Sequence, residues 1–525
     1  MESFETLVVG SGPAGVAAAR RLAGRGACIV DIGAEAVVGF PFASLAEALV
    51  AGSVRDLLGP HWEMLGNLAE PLAHHPKVRG GALSHVLSGD PFDVFGEGGQ
   101  LLVTGHGSAA AGGMANIWGG QLMRFTAADL AAAGDWPISA SELAPYYADL
   151  EEEIGLSGED DDMASYFGPV SALMAPPPLV PAAAHLMRRY QGRRVRRVAG
   201  RLLLGRPRLA VLTRRYRERA AYPFGETEFF TCGHAGIYTP TRTLLELAAS
   251  GSVTYLRGLK AGSFAEHADH VELAVEDMAS GAQRVLRARH LLIACGTVQT
   301  ARLVLKSRGK PGVRLPFLDH PPTLVPLFMP SLFGRAVTGP TFPVQLAATL
   351  GAGSGGAMIS LYYPGGMLWS DLLPDVPLPI NVARAVLGAV MGGMLVAQIW
   401  SVSRPQSAQR LVLGADGRVR IDYPQPVPWP ALPSLLAELR ALGCFSQARL
   451  ASAAPPGWGF HHAGTLPMRR QPAAYECHTD GRLWDSARVR VIDASLFPSL
   501  PAKNISLTIM ANAARIADLA GTCGY

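Results

Sequence analysis

TLVVGSGPAGVAAARRLAGRGACIVD, residues 6–31, decides the fold. Leu7, Val8 and Val9 form a short apolar run with β-branched members, which suits a strand buried on both faces of a parallel sheet. Gly10, Gly12 and Gly15 follow as G-x-G-x-x-G. The first glycine permits a tight turn, the second lets backbone approach a pyrophosphate, and the third lets a helix pack close to the strand. Pro13 and Ala14 open that helix, where the missing N–H of proline costs nothing. The Ala-rich run to Ala23 favours helix, and Gly24 and Gly26 can end it. Residues 27–31 give a second apolar strand ending in Asp31, 21 positions after Gly10, the spacing of a ribose-binding carboxylate. A lone G-x-G-x-x-G is weak in a chain with 59 glycines, but here strand, helix, second strand and terminal acid accompany it. The unit predicts a dinucleotide site in a Rossmann-like α/β domain.

The rest of the composition sets bounds. At 525 residues the chain has room for two or three domains. With 49% hydrophobic and 17% charged residues it is globular, which excludes a disordered chain. A net charge of +4 is too small to imply a nucleic-acid partner. The first strand starts almost at once, with no basic or apolar leader, so a cytoplasmic location is expected. The six cysteines contain no C-x-x-C pair and read as isolated thiols in a reducing compartment.

Between the two ends the signals are local. His74-His75 sits in a Pro-flanked loop with no third ligand nearby, so a solvated loop is expected and no metal site. Residues 105–120 include Gly112-Gly113-Met114-Ala115-Asn116-Ile117-Trp118 and are too Gly-rich for a regular element. Glycine beside Asn116 and Trp118 suits backbone lying against a flat ligand, which makes Gly112, Gly113, Asn116, Ile117 and Trp118 candidate contacts. Ser139-Ala140-Ser141-Glu142 is a capping box, and a helix follows through Tyr146, Tyr147 and Leu150. Residues 188–219 hold thirteen arginines and one acid. Their interleaved valines and leucines fit a solvated face with arginine stems on apolar surface, and aromatics are too sparse to stack bases.

Residues 253–285 alternate like a β-meander, with Ala261 a candidate cofactor contact. Leu291-Leu292-Ile293-Ala294, a turn at Cys295-Gly296 and an amphipathic helix over 297–306 form a second strand–Gly–helix unit that can extend the first sheet. Residues 385–400 are strongly apolar but broken by Gly392-Gly393, too short for a membrane span; a buried helix passing into a strand is expected. Residues 409–413 and 418–423 flank Gly414-Ala415-Asp416-Gly417 as a hairpin, so this region carries a second sheet.

The C-terminal part is the most specific. Phe460-His461-His462-Ala463-Gly464-Thr465 is followed by Val491-Ile492-Asp493-Ala494-Ser495-Leu496-Phe497-Pro498 and then by Asn504-Ile505-Ser506-Leu507-Thr508. Residues 489–492 read as a buried strand ending in Asp493, an acid able to hold a cofactor polyol hydroxyl, with Ala494 next to it. A helix begins at Ser506, after Ile505, and its N-terminus can face an anion such as a reduced flavin.

These pieces resemble the glucose–methanol–choline (GMC) oxidoreductases, FAD enzymes that oxidise alcohols. The resemblance covers both ends of the chain and, between them, residues 112–120, Trp136-Pro137-Ile138, residues 291–305 and Asp319-His320-Pro321; the central cap is not recognisable. It implies that His461 is the active-site histidine of H-x-x-G-T and that residues 493–498 match D-x-S-x-x-P. Asn504 takes the second active-site position, followed here by Ile505 instead of the family's proline. Ile117 stands where some members tether FAD through a histidine, so non-covalent FAD is expected.

Oxidising an alcohol removes a hydroxyl proton and a carbon-bound hydride. Histidine suits the proton, since its pKa lies near neutrality, and a neutral Asn504 can hold the same oxygen. The expectation is an α/β (α+β overall) chain. An FAD-binding domain is assembled from residues 1–165, 222–322 and 450–525, and a cap with an antiparallel sheet from 166–221 and 323–449. The expected partners are a small alcohol, which the apolar cap suggests is lipophilic, and dioxygen or another electron acceptor, with no nucleic acid. An NAD(P)-dependent dehydrogenase is the alternative within enzymes, but it leaves Asp493 and the last helix without a task. A non-catalytic flavin-fold binding protein is the alternative outside them.

Overall fold

The structure, a computed structural model, describes residues 2–35, 86–87, 89–195, 201–224, 236–309, 312–337, 341–350, 356–364, 378–457 and 459–522. His74-His75 lies outside these residues.

Strand Ser3–Val9 pairs in parallel with Ala27–Asp31 on one side and with Gln283–Ile293 on the other. Leu7, Val8 and Ile29 are fully buried, as strands covered on both faces require. Helix Pro13–Arg21 buries Ala14 through Ala19 between the sheet and helix Ser506–Thr522. The close approach depends on two glycines. Gly10 has φ +101°, and a Cβ there would collide with the Ala294 carbonyl; a Cβ on Gly15 would collide with the Gly10 carbonyl.

The first sheet runs in the order Thr254–Arg257, Ala27–Asp31, Ser3–Val9, Gln283–Ile293, Val271–Asp277, Leu259–Glu266. The meander forms from its last three strands, while Thr254–Arg257 joins the far edge in parallel. Gln283–Ile293 is one strand of 11 residues. Its first half pairs antiparallel with Val271–Asp277, and its final residues pair in parallel with Val489–Val491. Helix Ser506–Thr522 packs on Pro13–Arg21, with Arg21 and Asp518 paired at 2.6 Å.

A six-stranded antiparallel sheet forms the cap: Ser452–Ala453, Thr323–Phe328, Met394–Trp400, Met358–Tyr362, Val344–Leu350 and Leu202–Gly205. The expected hairpin forms from Arg410–Leu413 and Val419–Asp422. It does not join the cap sheet; it pairs with Pro91–Phe95 in a separate five-stranded sheet that also takes Leu101–His106 and Arg314–Pro316.

Three local expectations need correction. The 385–400 run does split into helix Ile380–Met391 and strand Met394–Trp400, but the helix is not buried. Leu387 faces inward, while Val382 and Val386 on the other face are 47% and 43% exposed. The Gly-rich stretch contains a regular turn of 3-10 helix, Gly113–Ile117, opened by left-handed Gly112 and Gly113. The arginine-rich stretch is not only a solvated face, since Arg206, Arg208 and Arg219 are buried and donate to the carbonyls of Pro177, Gly168 and Ile154. Residues 460–462 form no regular element, and Phe460 is left-handed at φ +51°. The predicted capping box at Ser139 and Glu142 forms, and a second joins Thr126 to Asp129. Among the described residues no helix is long and apolar enough to cross a membrane.

Candidate active site

One cavity of about 690 Å³ extends from the Gly-rich turn to the cap sheet. Gly10, Gly12, Pro13, Ala14, Asp31 and Ala261 line it within the first sheet's layer. Gly113, Ile117, Trp118, Asp493, Ala494 and Ile505 also line it, as do His461 and Asn504. Gly15, Gly112 and Asn116 do not reach its wall. Gly15 sets the helix against the strand, and Gly112 donates its N–H to Ser11 Oγ at 3.0 Å. Asn116 is a staple: its Nδ2 donates to the carbonyls of Ala111 (2.7 Å) and Gly113 (2.8 Å), which holds the 3-10 turn.

The two acids at the strand ends are heavily used by the protein. Asp31 accepts from Ser11 Oγ and, at 2.9 Å, from Tyr255 OH; burial pushes its pKa up and these bonds oppose the shift. Asp493 accepts from Gly296 N at 3.0 Å, Thr300 Oγ1 at 2.5 Å and Ser495 N at 2.9 Å. It therefore ties three elements together, and burial again raises its pKa against the hydrogen bonds.

His461 and His462 diverge after the left-handed Phe460. The His461 ring is buried and stacks on Trp400, 4.4 Å between centroids at 24°. Its Nδ1 lies 3.1 Å from Nδ1 of His320. Burial drives the His320 pKa down to about 4, only partly offset by the Leu500 backbone, so that ring is neutral at pH 7. His462 packs edge-on to Phe92, with centroids 5.4 Å apart, and its Nε2 lies 3.2 Å from the Gly457 carbonyl. Asn504 Oδ1 is buried without a hydrogen-bond partner.

Three features escaped the sequence reading. His320 stands in a Pro-bounded break that reads as a chain turn. Gln121 Nε2 donates to Tyr362 OH at 2.8 Å and its Oε1 accepts from Ser360 at 2.9 Å, a polar patch that faces the cavity with Gln398 beside the apolar Leu324, Val396 and Trp400. Lys503 is fully buried beside Asn504. Its ammonium reaches Asp129 at 2.5 Å, the carbonyls of Arg124 (3.3 Å) and Tyr166, and the face of the Tyr166 ring at 4.2 Å.

The cavity fits an elongated dinucleotide flavin. Gly12 has no heavy atom within 4 Å of where a Cβ would stand, which leaves its backbone open to an approaching phosphate. Helix Ser506–Thr522 starts at the wall with no acid in its first turn, so its N-terminal N–H groups are available to negative charge.

Residues 448–513 match the family model described as GMC oxidoreductase. Two solved structures share the fold over nearly their whole length. Pyridoxine 4-oxidase from Mesorbium loti is 14% identical, covering 98% of this chain and 99% of that one, with a TM-score of 0.57. A formate oxidase variant from Aspergillus oryzae RIB40, which concerns FAD modification, is 13% identical, covering 100% and 99%, with a TM-score of 0.58. No curated protein sequence matches the chain. Residues 448–513 thus resemble the GMC oxidoreductases, and the chain as a whole shares the fold of the two oxidases.

Proposed function

We propose that this oxidoreductase oxidises the CH–OH group of a small alcohol to a carbonyl, with His461 as base and Asn504 as its partner. The observation that carries the reading is the His461 ring, clamped between Trp400 and His320 in the same cavity that the Gly-rich turn lines. Neutral His320 accepts the Nδ1–H of His461. That hydrogen bond fixes the tautomer in which His461 Nε2 keeps its lone pair, ready for a hydroxyl proton. Asn504 lines the same cavity, and its Nδ2 amide donates to the substrate oxygen, which orients the carbon-bound hydrogen.

FAD, when bound, supplies a two-electron acceptor for the hydride at N5. Gly10, Gly12, Pro13 and Asp31 would hold its diphosphate and ribose, and the start of helix Ser506–Thr522, at the same cavity wall, would favour negative charge on it. Binding is non-covalent, since Ile117 offers no nucleophile at the wall. Leu324, Val396 and Trp400 favour a lipophilic alcohol, oriented through Gln121 and Tyr362. Dioxygen or another acceptor takes the electrons afterwards. The test is anaerobic mixing with sugars, aliphatic alcohols, aryl alcohols and sterols while following flavin bleaching. Rapid bleaching by aliphatic or aryl alcohols supports the reading; a flavin that no alcohol reduces refutes it.

A further inference from the structure

We propose a transition-metal site at the tip of the hairpin Leu259–Glu266/Val271–Asp277, built from His267, His270 and Glu272 and suited to Zn²⁺. The hairpin places all three on one face. Glu266 pairs with Val271, and His267 N–H donates to the His270 carbonyl at 2.8 Å, which closes a two-residue turn. The two histidines are therefore cross-strand neighbours, and their rings lie parallel, 4.6 Å between centroids at 17°. Glu272 follows His270 by two positions and shares its face.

The donor spacing fits a small ion. His267 Nε2 stands 3.6 Å from Glu272 Oε2, and His270 Nε2 stands 3.5 Å from Glu272 Oε1. All three donor atoms lie within 4.8 Å of one another. Bonds of about 2.0–2.2 Å in a tetrahedral geometry set neighbouring ligand atoms roughly 3.3–3.5 Å apart. The surrounding groups already have the orientation a metal site needs. His270 Nδ1 lies 2.7 Å from Asp269 Oδ1, and a donated N–H there leaves the Nε2 lone pair facing Glu272. That Nε2 is buried and has no hydrogen-bond partner. Arg488 fixes the turn by donating to the Ala268 carbonyl at 2.7 Å. Two imidazoles and a carboxylate are the donor set of a zinc ion with one position left for water. From Glu276 at the cavity wall to Glu272 is four strand residues, about 13 Å, so the ion sits outside the cavity.

Arg287 gives the proposal a distinctive signature. Its Nε and terminal nitrogen hold Glu272 Oε1 at 2.9 and 2.7 Å, so the guanidinium competes with a divalent ion for that oxygen. The experiment is calorimetric titration of ZnCl₂ into the chelator-treated, flavin-loaded protein at neutral pH. One saturable equivalent is expected. His270→Ala and Glu272→Gln should each weaken it at least about tenfold, and Asp269→Asn by a similar factor. Arg287→Gln should tighten it, and the flavin spectrum should not change throughout. Absence of saturable binding overturns the proposal, as does undiminished binding in the His267→Ala/His270→Ala double variant or weaker binding in Arg287→Gln.

Discussion

At the scale of single residues, the neighbours His461 and His462 face different surroundings, Trp400 and His320 for one and Phe92 and Gly457 for the other. His461→Ala should leave FAD bound and slow anaerobic flavin reduction by roughly a hundredfold to ten-thousandfold, the range of a positioned acid–base group. Asn504→Ala should slow it less, and His462→Ala should act mainly on stability through the lost packing on Phe92. Reduction rates at saturating substrate for the three variants decide this; a severe loss in His462→Ala with a near-normal His461→Ala would reverse the assignment. His320 adds a pH dependence. Its folded value of about 4 lies below the ordinary 6.5, so the unfolded chain takes up the proton first. The neutral ring therefore stabilises the fold fully above about pH 6.5, and this contribution is lost as pH falls toward 4. Between pH 7 and pH 5 it amounts to about 2 kcal/mol. Denaturant unfolding of wild type and His320→Gln at both pH values should give a smaller drop in the variant; equal drops would mean that His320 titrates normally.

At the scale of elements, the loop that carries Asn504 continues into Ile505 and is held by its neighbour Lys503. Lys503 anchors it to Asp129, which also closes the capping box of helix Ala127–Ala133 with Thr126. Lys503→Met should cost about 3–5 kcal/mol by leaving a buried carboxylate uncompensated, and a further Asp129→Asn change should recover part of that loss. Chemical denaturation of the single and double variants measures this, and additive losses would sink the anchor. The two ends of the molecule differ in how far their roles could be read from sequence. The strand–glycine–helix units declare themselves because their signals are local: apolar runs, a glycine where φ is positive, an acid at the strand end. Lys503 reads as an ordinary surface lysine, because Asp129 is 374 positions away in the chain. His320 reads as a turn residue for the same reason, its partner being 141 positions off. Asp493 could be placed at a strand end but not assigned its three bonds to the protein, which depend on how Gly296 and Thr300 dock beside it.

At the scale of the whole molecule, FAD retention should report on both ends of the chain. Acid or heat should release intact FAD from the purified yellow protein; flavin that stays with the denatured polypeptide would rule out non-covalent binding. Asp31→Ala should weaken retention, since a charge-assisted acceptor is lost, and also free Ser11 and Tyr255. Fluorimetric FAD titration of the apoprotein measures the change. The strand Gln283–Ile293 has one more implication, for how the protein is made. A ribosome delivers Ser3–Val9 first and Val489–Val491 only after most of the chain has emerged, yet both flank that strand. Throughout synthesis Leu291–Ile293 presents an open edge of N–H and C=O groups, a template for pairing with the wrong chain. Soluble yield in a heterologous host should thus depend on chaperone capacity and on slow, cool expression more than on promoter strength, and nascent chains that stop before residue 489 should accumulate as aggregates without flavin.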